Sequence, residues 1–81
     1  MREGGFAEKL QLVLKALVLS RAGLAAALNV DKSLVGRWAS GAVAPSEHNR
    51  AALTRFVASR VPGFTLLDWD RPVETFAEAL G

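Results

Sequence analysis

Ser33, Gly36, Arg37 and Ser40 recur at intervals of three and four residues, so on a helix they share one face, with Lys32 at its edge and Val35 and Trp38 opposite. That face is small, flat and basic. A solvated face usually carries long Glu and Lys side chains, whereas small residues allow close approach to a bulky partner. A helix of this kind fits the roughly 12 Å major groove of duplex DNA, where an arginine reads guanine through two parallel hydrogen bonds. Gly36 inside a helix costs roughly 1 kcal/mol relative to alanine, and close backbone approach to DNA would be one reason to keep it.

Other constellations carry less. The chain has no cysteine and no tyrosine, and its one histidine is His48, which removes disulfides, thiolate metal sites and thiol nucleophiles and leaves few general acids or bases. His48 beside Glu47 reads as a solvated or capping group on a helix's first turn, and Asp68 and Asp70, which flank Trp69, read as caps of a short segment. No nucleophile with a base and no glycine-rich phosphate loop accompanies them. The expectation is a protein with no catalytic step, no cofactor and no metal.

The positioning elements follow from periodicity. Phe6, Leu10, Val13, Leu14 and Leu17 predict a first helix from Phe6 to Leu19, with Leu12, Ala16 and Leu19 widening its apolar arc beyond what one core needs. Ser20 is a candidate N-cap for a second helix, Arg21 to Leu28. Asn29 suits a left-handed corner, and Asp31 is expected to cap a third helix, residues 32–40, by accepting a backbone hydrogen bond. Gly41 stops that helix, Pro45 and Ser46 restart the chain, and a fourth helix runs from about Glu47 to Arg60, where Pro62 and Gly63 end it. Phe64, Leu66, Leu67 and Trp69 crowd a short irregular or single-turn segment before a small fifth helix carrying Val73, Phe76, Ala77 and Leu80. Val35, Trp38, Leu24 and Leu28, packed on Leu10, Leu14, Leu53 and Phe56, make up the expected core. The fold class is therefore all-α, a compact five-helix domain with a short C-terminal helical extension.

The run Arg21-Ala22-Gly23-Leu24-Ala25-Ala26-Ala27-Leu28-Asn29-Val30-Asp31-Lys32-Ser33-Leu34-Val35-Gly36-Arg37-Trp38-Ala39-Ser40-Gly41, followed by Pro45 and Ser46, resembles the helix-turn-helix of the Cro and phage-repressor family, also called XRE-type. The resemblance spans roughly residues 6–60. It implies a sequence-specific regulator of transcription that binds double-stranded DNA through helix 32–40. In that reading Lys32, Ser33, Gly36 and Arg37 face bases, and Ser20, Arg21, Ser40, Ser46, His48 and Asn49 face phosphates. Arg21 stands where the family usually has a glutamine, Ala39 where many members have glutamate, and Gly36 where they have a polar residue. The loop Ala42-Val43-Ala44 lacks the basic residues that often hold a phosphate, so modest affinity per protomer is expected and a homodimer on a pseudo-palindrome is the expected remedy.

Charge supports a two-part organisation. Residues 1–60 hold nine Lys or Arg against four acids, a net +5, while residues 61–81 hold Arg71 against Asp68, Asp70, Glu74 and Glu78, a net −3. A basic body suits a polyanion, and the acidic piece should lie away from it. The expected division is a DNA-binding domain at 1–62 and an aromatic, acidic extension at 63–81 that covers the Leu12, Ala16 and Leu19 side of the first helix, in its own chain or across a dimer. A rival reading is a helix-turn-helix used as an antitoxin-like or adaptor module, gripping a protein partner through the aromatic segment. Gln11 and Lys15 interrupt the apolar run of the first helix, and no stretch approaches about 18 apolar residues, so a soluble, cytoplasmic protein, nucleoid-associated when bound to DNA, is expected rather than a membrane-bound one.

Overall fold

A computed structural model describes residues 5–81 of the chain. Five α-helices follow one another: α1 (Phe6–Ala16), α2 (Arg21–Leu28), α3 (Lys32–Ser40), α4 (Glu47–Arg60) and α5 (Val73–Ala79), with a 3-10 turn at Leu66–Asp70 before the last. No strand occurs among the described residues, and the fold is an all-α globule of 32 × 29 × 23 Å. α3 packs on α1 and α2, α2 also meets α4, and the C-terminal elements sit on α1 and α4. No single helix among the described residues is long and apolar enough to cross a membrane, and α1 and α2 meet at 97°.

Ser20 and Ser46 begin α2 and α4 as the sequence suggests, their hydroxyl oxygens accepting from the amides of Gly23 at 2.9 Å and Asn49 at 3.2 Å. Each thereby satisfies one of the amides that a helix start leaves without a partner.

The ends of α1, α2 and α3 share one device. Leu19 N–H donates to Leu14 O at 2.8 Å, Val30 N–H to Ala25 O at 2.9 Å and Ala42 N–H to Arg37 O at 3.0 Å. Each bond wraps around a residue in the left-handed region: Val18 (φ 52°), Asn29 (φ 59°) and Gly41 (φ 85°). This is the Schellman closure, which satisfies the last carbonyls of a helix. The first corner corrects the expected boundary at Leu19, since α1 stops at Ala16. Apolar periodicity continues through Leu17 and Leu19, and no glycine or asparagine announces the turn. Leu19 is instead turned against Gly23, where an added Cβ would lie 3.1 Å from the leucine Cδ1.

Leu10, Val13, Leu24, Val35, Trp38, Leu53 and Val57 form the buried centre, as their spacing indicates, whereas Leu14, Leu28 and Phe56 are half-buried at its margin. The larger correction concerns residues 64–80. Phe64, Trp69 and Phe76 have no obvious place in a four-helix core on sequence grounds, yet all three are buried in the same core as Trp38. Trp69 is gripped from both sides: the Lys9 ammonium of α1 donates to its carbonyl at 2.6 Å, and its indole N–H donates to Thr54 Oγ1 of α4 at 2.8 Å. Thr54 in turn donates to Arg50 O at 2.7 Å, so the chain of buried polar groups closes. Phe6 and Phe76 stack obliquely on Trp69 with ring centroids at 5.0 and 5.2 Å, and Phe64 meets it edge-on at 5.4 Å. The extension thus packs on α1 within its own chain, covering the side that holds Phe6 and Lys9. Leu12 and Leu19 are left half-buried and Ala16 exposed.

Three stability outcomes follow. Trp69→Ala removes the ring at the centre of the aromatic cluster and the indole donor that Thr54 Oγ1 accepts, while leaving the backbone carbonyl that Lys9 bonds, so a loss of about 3–5 kcal/mol is expected in urea unfolding. Truncation after Pro62 should abolish the cooperative transition. Val18→Gly should act in the opposite sense. Val18 is 90% exposed, so little packing is lost, and relief of its left-handed backbone should raise stability by about 1 kcal/mol, read as a higher melting temperature.

Candidate nucleic-acid interface

At nine residues α3 is too short to persist alone, and its orientation comes from its buried side. Val35, Trp38 and Ala39 are at most 1% exposed, which fixes the rotation of the helix about its axis. Gln11 of α1 fixes its carboxyl end, with its side-chain amide donating to Ala39 O at 2.6 Å. The sequence shows Gln11 only as a polar interruption of the apolar run and misses this tie. The carbonyl it satisfies belongs to the last turn of α3, where no intrahelical amide remains to reach it.

With that side pinned, Lys32, Ser33 and Arg37 are exposed and Gly36 lies between them. A Cβ built on Gly36 would meet no atom within 4 Å. The protein's own packing therefore gives no reason for glycine at this position, in contrast to Gly23. The structure brings Ser33, Gly36, Arg37 and Ser40 onto one outward face, with Lys32 beside them.

The hydroxyls on this face are not equivalent. Ser40 donates to Arg37 O at 3.1 Å, so its proton is committed and it offers no free donor to a phosphate. Ser33 donates to the carboxylate of Asp31. Ser20 and Ser46 use their oxygens as acceptors of backbone amides, which leaves their own protons free to point outward. Arg21 is exposed as the first residue of α2, His48 is exposed on the first turn of α4, and Asn49 is half-buried with its backbone amide taken by Ser46. The candidate phosphate contacts accordingly gather at two helix starts, a favourable setting for an anion.

Asp31 departs from its expected role. It occupies the N-cap position of α3, but its side chain makes no well-formed capping bond, because the carboxylate is turned onto the Ser33 hydroxyl instead. That hydrogen bond, assisted by the Ser33 backbone amide and the positive charge of Arg37, holds the Asp31 carboxyl below the ordinary aspartate value of 3.8. The spacing Asp-x-Ser at a helix start is the signal that could have revealed it.

Two of the four acidic residues of the C-terminal segment are engaged, while Glu74 and Glu78 are exposed on α5. The Asp68 carboxylate accepts the Thr65 amide at 2.7 Å and pairs with Arg71 at 2.8 Å, and Asp70 lies 3.5 Å from Arg50. They belong to a turn that packs on α4 and α5, whereas the main neighbours of α3 are α1 and α2. An open groove between the start of α1 and the end of α3 is lined by Phe6, Glu8, Gln11, Trp38, Ser40 and Val43, with Glu8 as its one titratable side chain.

Comparison with known proteins yields no matching family model, no matching curated protein and no matching solved structure.

The depressed Asp31 carboxyl has a pH signature. Its contribution to stability is present above the unfolded value and lost as pH falls through the lower folded value. Melting temperatures of the wild type and Asp31→Asn should differ by a constant amount from neutrality to about pH 5 and converge below about pH 4. A difference independent of pH would mean that the Asp31–Ser33 bond does not form in solution.

Proposed function

We propose that the chain is a sequence-specific, double-stranded DNA-binding regulator of transcription of the Cro/phage-repressor-like type, which places α3 in the major groove. The observation that carries this reading is Gly36: a helix-destabilising residue retained in open space, in the middle of an exposed face bearing Lys32, Ser33 and Arg37. A groove floor approaching that face would occupy the space a side chain would otherwise fill. Arg37 would take a guanine, Lys32 and Arg21 would neutralise phosphates, and the free protons of Ser20 and Ser46 would donate to phosphate oxygens at the starts of α2 and α4, beside His48 and Asn49. Ser40 would contribute through packing rather than through its hydroxyl. One copy neutralises few phosphates, so a homodimer on a two-fold site is part of the proposal. No chemical step is involved, and no cofactor or metal is called for.

The rival reading, a protein-binding module, has support from Leu66 and Leu67, which are 50% and 76% exposed. It cannot use the aromatic residues as first envisaged, because Phe64, Trp69 and Phe76 are in the core.

Gly36→Leu tests the proposal through two readouts of opposite sign. Removing a mid-helix glycine should stabilise the fold by roughly 0.5–1 kcal/mol, while the new side chain should weaken duplex binding at least about tenfold in fluorescence anisotropy. Arg37→Ala should narrow the affinity gap between selected and random duplexes. Binding that falls steeply with salt is expected for the wild type. No retardation of any duplex at low salt, or a Gly36→Leu protein that binds as tightly as the wild type, would overturn the reading.

A further inference from the structure

The Asp31–Ser33 contact changes what the amino end of α3 can read. A serine hydroxyl carries a single proton, and in Ser33 it is spent on the Asp31 carboxylate. What Ser33 presents outward is therefore an oxygen acceptor. Asp31, ionised and exposed, adds acceptor lone pairs and no donor. The carboxylate makes no well-formed capping bond of the kind Ser20 and Ser46 make; the Ser33 and Lys32 amides lie near enough to favour its charge, but its principal partner is the Ser33 hydroxyl.

Among the groups in the major groove, cytosine N4 and adenine N6 are the hydrogen-bond donors. Adenine carries the N7 acceptor next to its amine, which repels a carboxylate, and cytosine has none on its own edge. Ser33 and Arg37 are one helical turn apart on the same face, about 6 Å along the axis, which corresponds to about two base-pair steps. We propose that Asp31 and Ser33 form an acceptor-only reading pair that selects a cytosine, through its exocyclic amine, within about three base pairs of the guanine taken by Arg37. The inference rests on the DNA-binding reading above and specifies the base content of its half-site.

The pair has a distinctive cost. A carboxylate facing the duplex repels phosphates on every sequence, so it lowers affinity for random DNA while raising discrimination. Removing the charge should reverse both effects, which a purely structural role at the helix start would not do.

The test is selection from a random duplex pool by the wild type, Asp31→Asn and Ser33→Ala, followed by titration of the wild-type consensus and its single C·G to T·A replacements. Asparagine is itself a good N-cap, and Ser33→Ala leaves the cap residue untouched, so both variants should fold, as circular dichroism would verify. The wild type is expected to enrich one cytosine near the guanine and to lose about tenfold or more when it is replaced. Asp31→Asn should bind random duplex more tightly and become indifferent to that replacement, and Ser33→Ala should weaken the same preference. A wild-type consensus without such a cytosine, or variants with the wild-type profile and random-duplex affinity, would overturn the inference while leaving DNA binding in place. A wild type that binds no duplex at all would remove the DNA-binding reading and this inference together.

Discussion

Burial of one side of α3 is the constraint on which the remaining structure depends. Helices of eight and nine residues, as α2 and α3 are, gain too few internal hydrogen bonds to offset the entropy of forming them alone. Their existence is a tertiary effect. Trp38 is the largest fully buried side chain, and with Val35 and Ala39 it holds α3 at one rotation about its axis. The outward face that results is set by what the opposite face buries, so Ser33, Gly36 and Arg37 are positioned by residues on the other side of the helix. Gln11 contributes the second coordinate, because its bond to Ala39 O holds the end of α3 against α1.

The C-terminal segment supplies what a chain of this length lacks. Small domains bury a low fraction of their surface, and α1 has apolar residues on more of its circumference than α2, α3 and α4 can cover. Trp69 answers this by joining α1 and α4 through its two polar ends while its ring fills the space between Phe6, Phe64 and Phe76. The arrangement places an ammonium group in the interior with a carbonyl and an aromatic face as partners, Phe76 being 5.9 Å away. Desolvation of that charge is offset only while the carbonyl is present, which makes the segment's docking all-or-none.

The legibility of the structure in the sequence follows the physics of each element. α2, α3 and α4 were readable to the residue because Ser20, Asn29, Gly41, Ser46 and Pro62 punctuate them with side chains suited to caps and turns. α1 was overextended at Leu17–Leu19 because its end uses a valine in the left-handed region, where local preference is overridden by the packing of Leu19 on Gly23. The outward face of α3 was legible from spacing alone, since a helix of known rotation turns sequence intervals into angles. Its donors and acceptors were not. The commitments of the Ser33 and Ser40 protons depend on rotamers, and the roles of Lys9 and Gln11 depend on contacts 60 and 28 residues away along the chain.

Lys9 also makes the molecule its own chemical reporter. The chain contains three lysines, of which Lys15 and Lys32 are exposed and Lys9 is enclosed beneath Trp69. An amine-acylating reagent meets the first two at the surface, whereas Lys9 reacts only during the intervals when residues 64–80 lift from α1. The ratio of acylated Lys9 to acylated Lys15, followed over time, thus measures the opening equilibrium of the C-terminal segment without any introduced label.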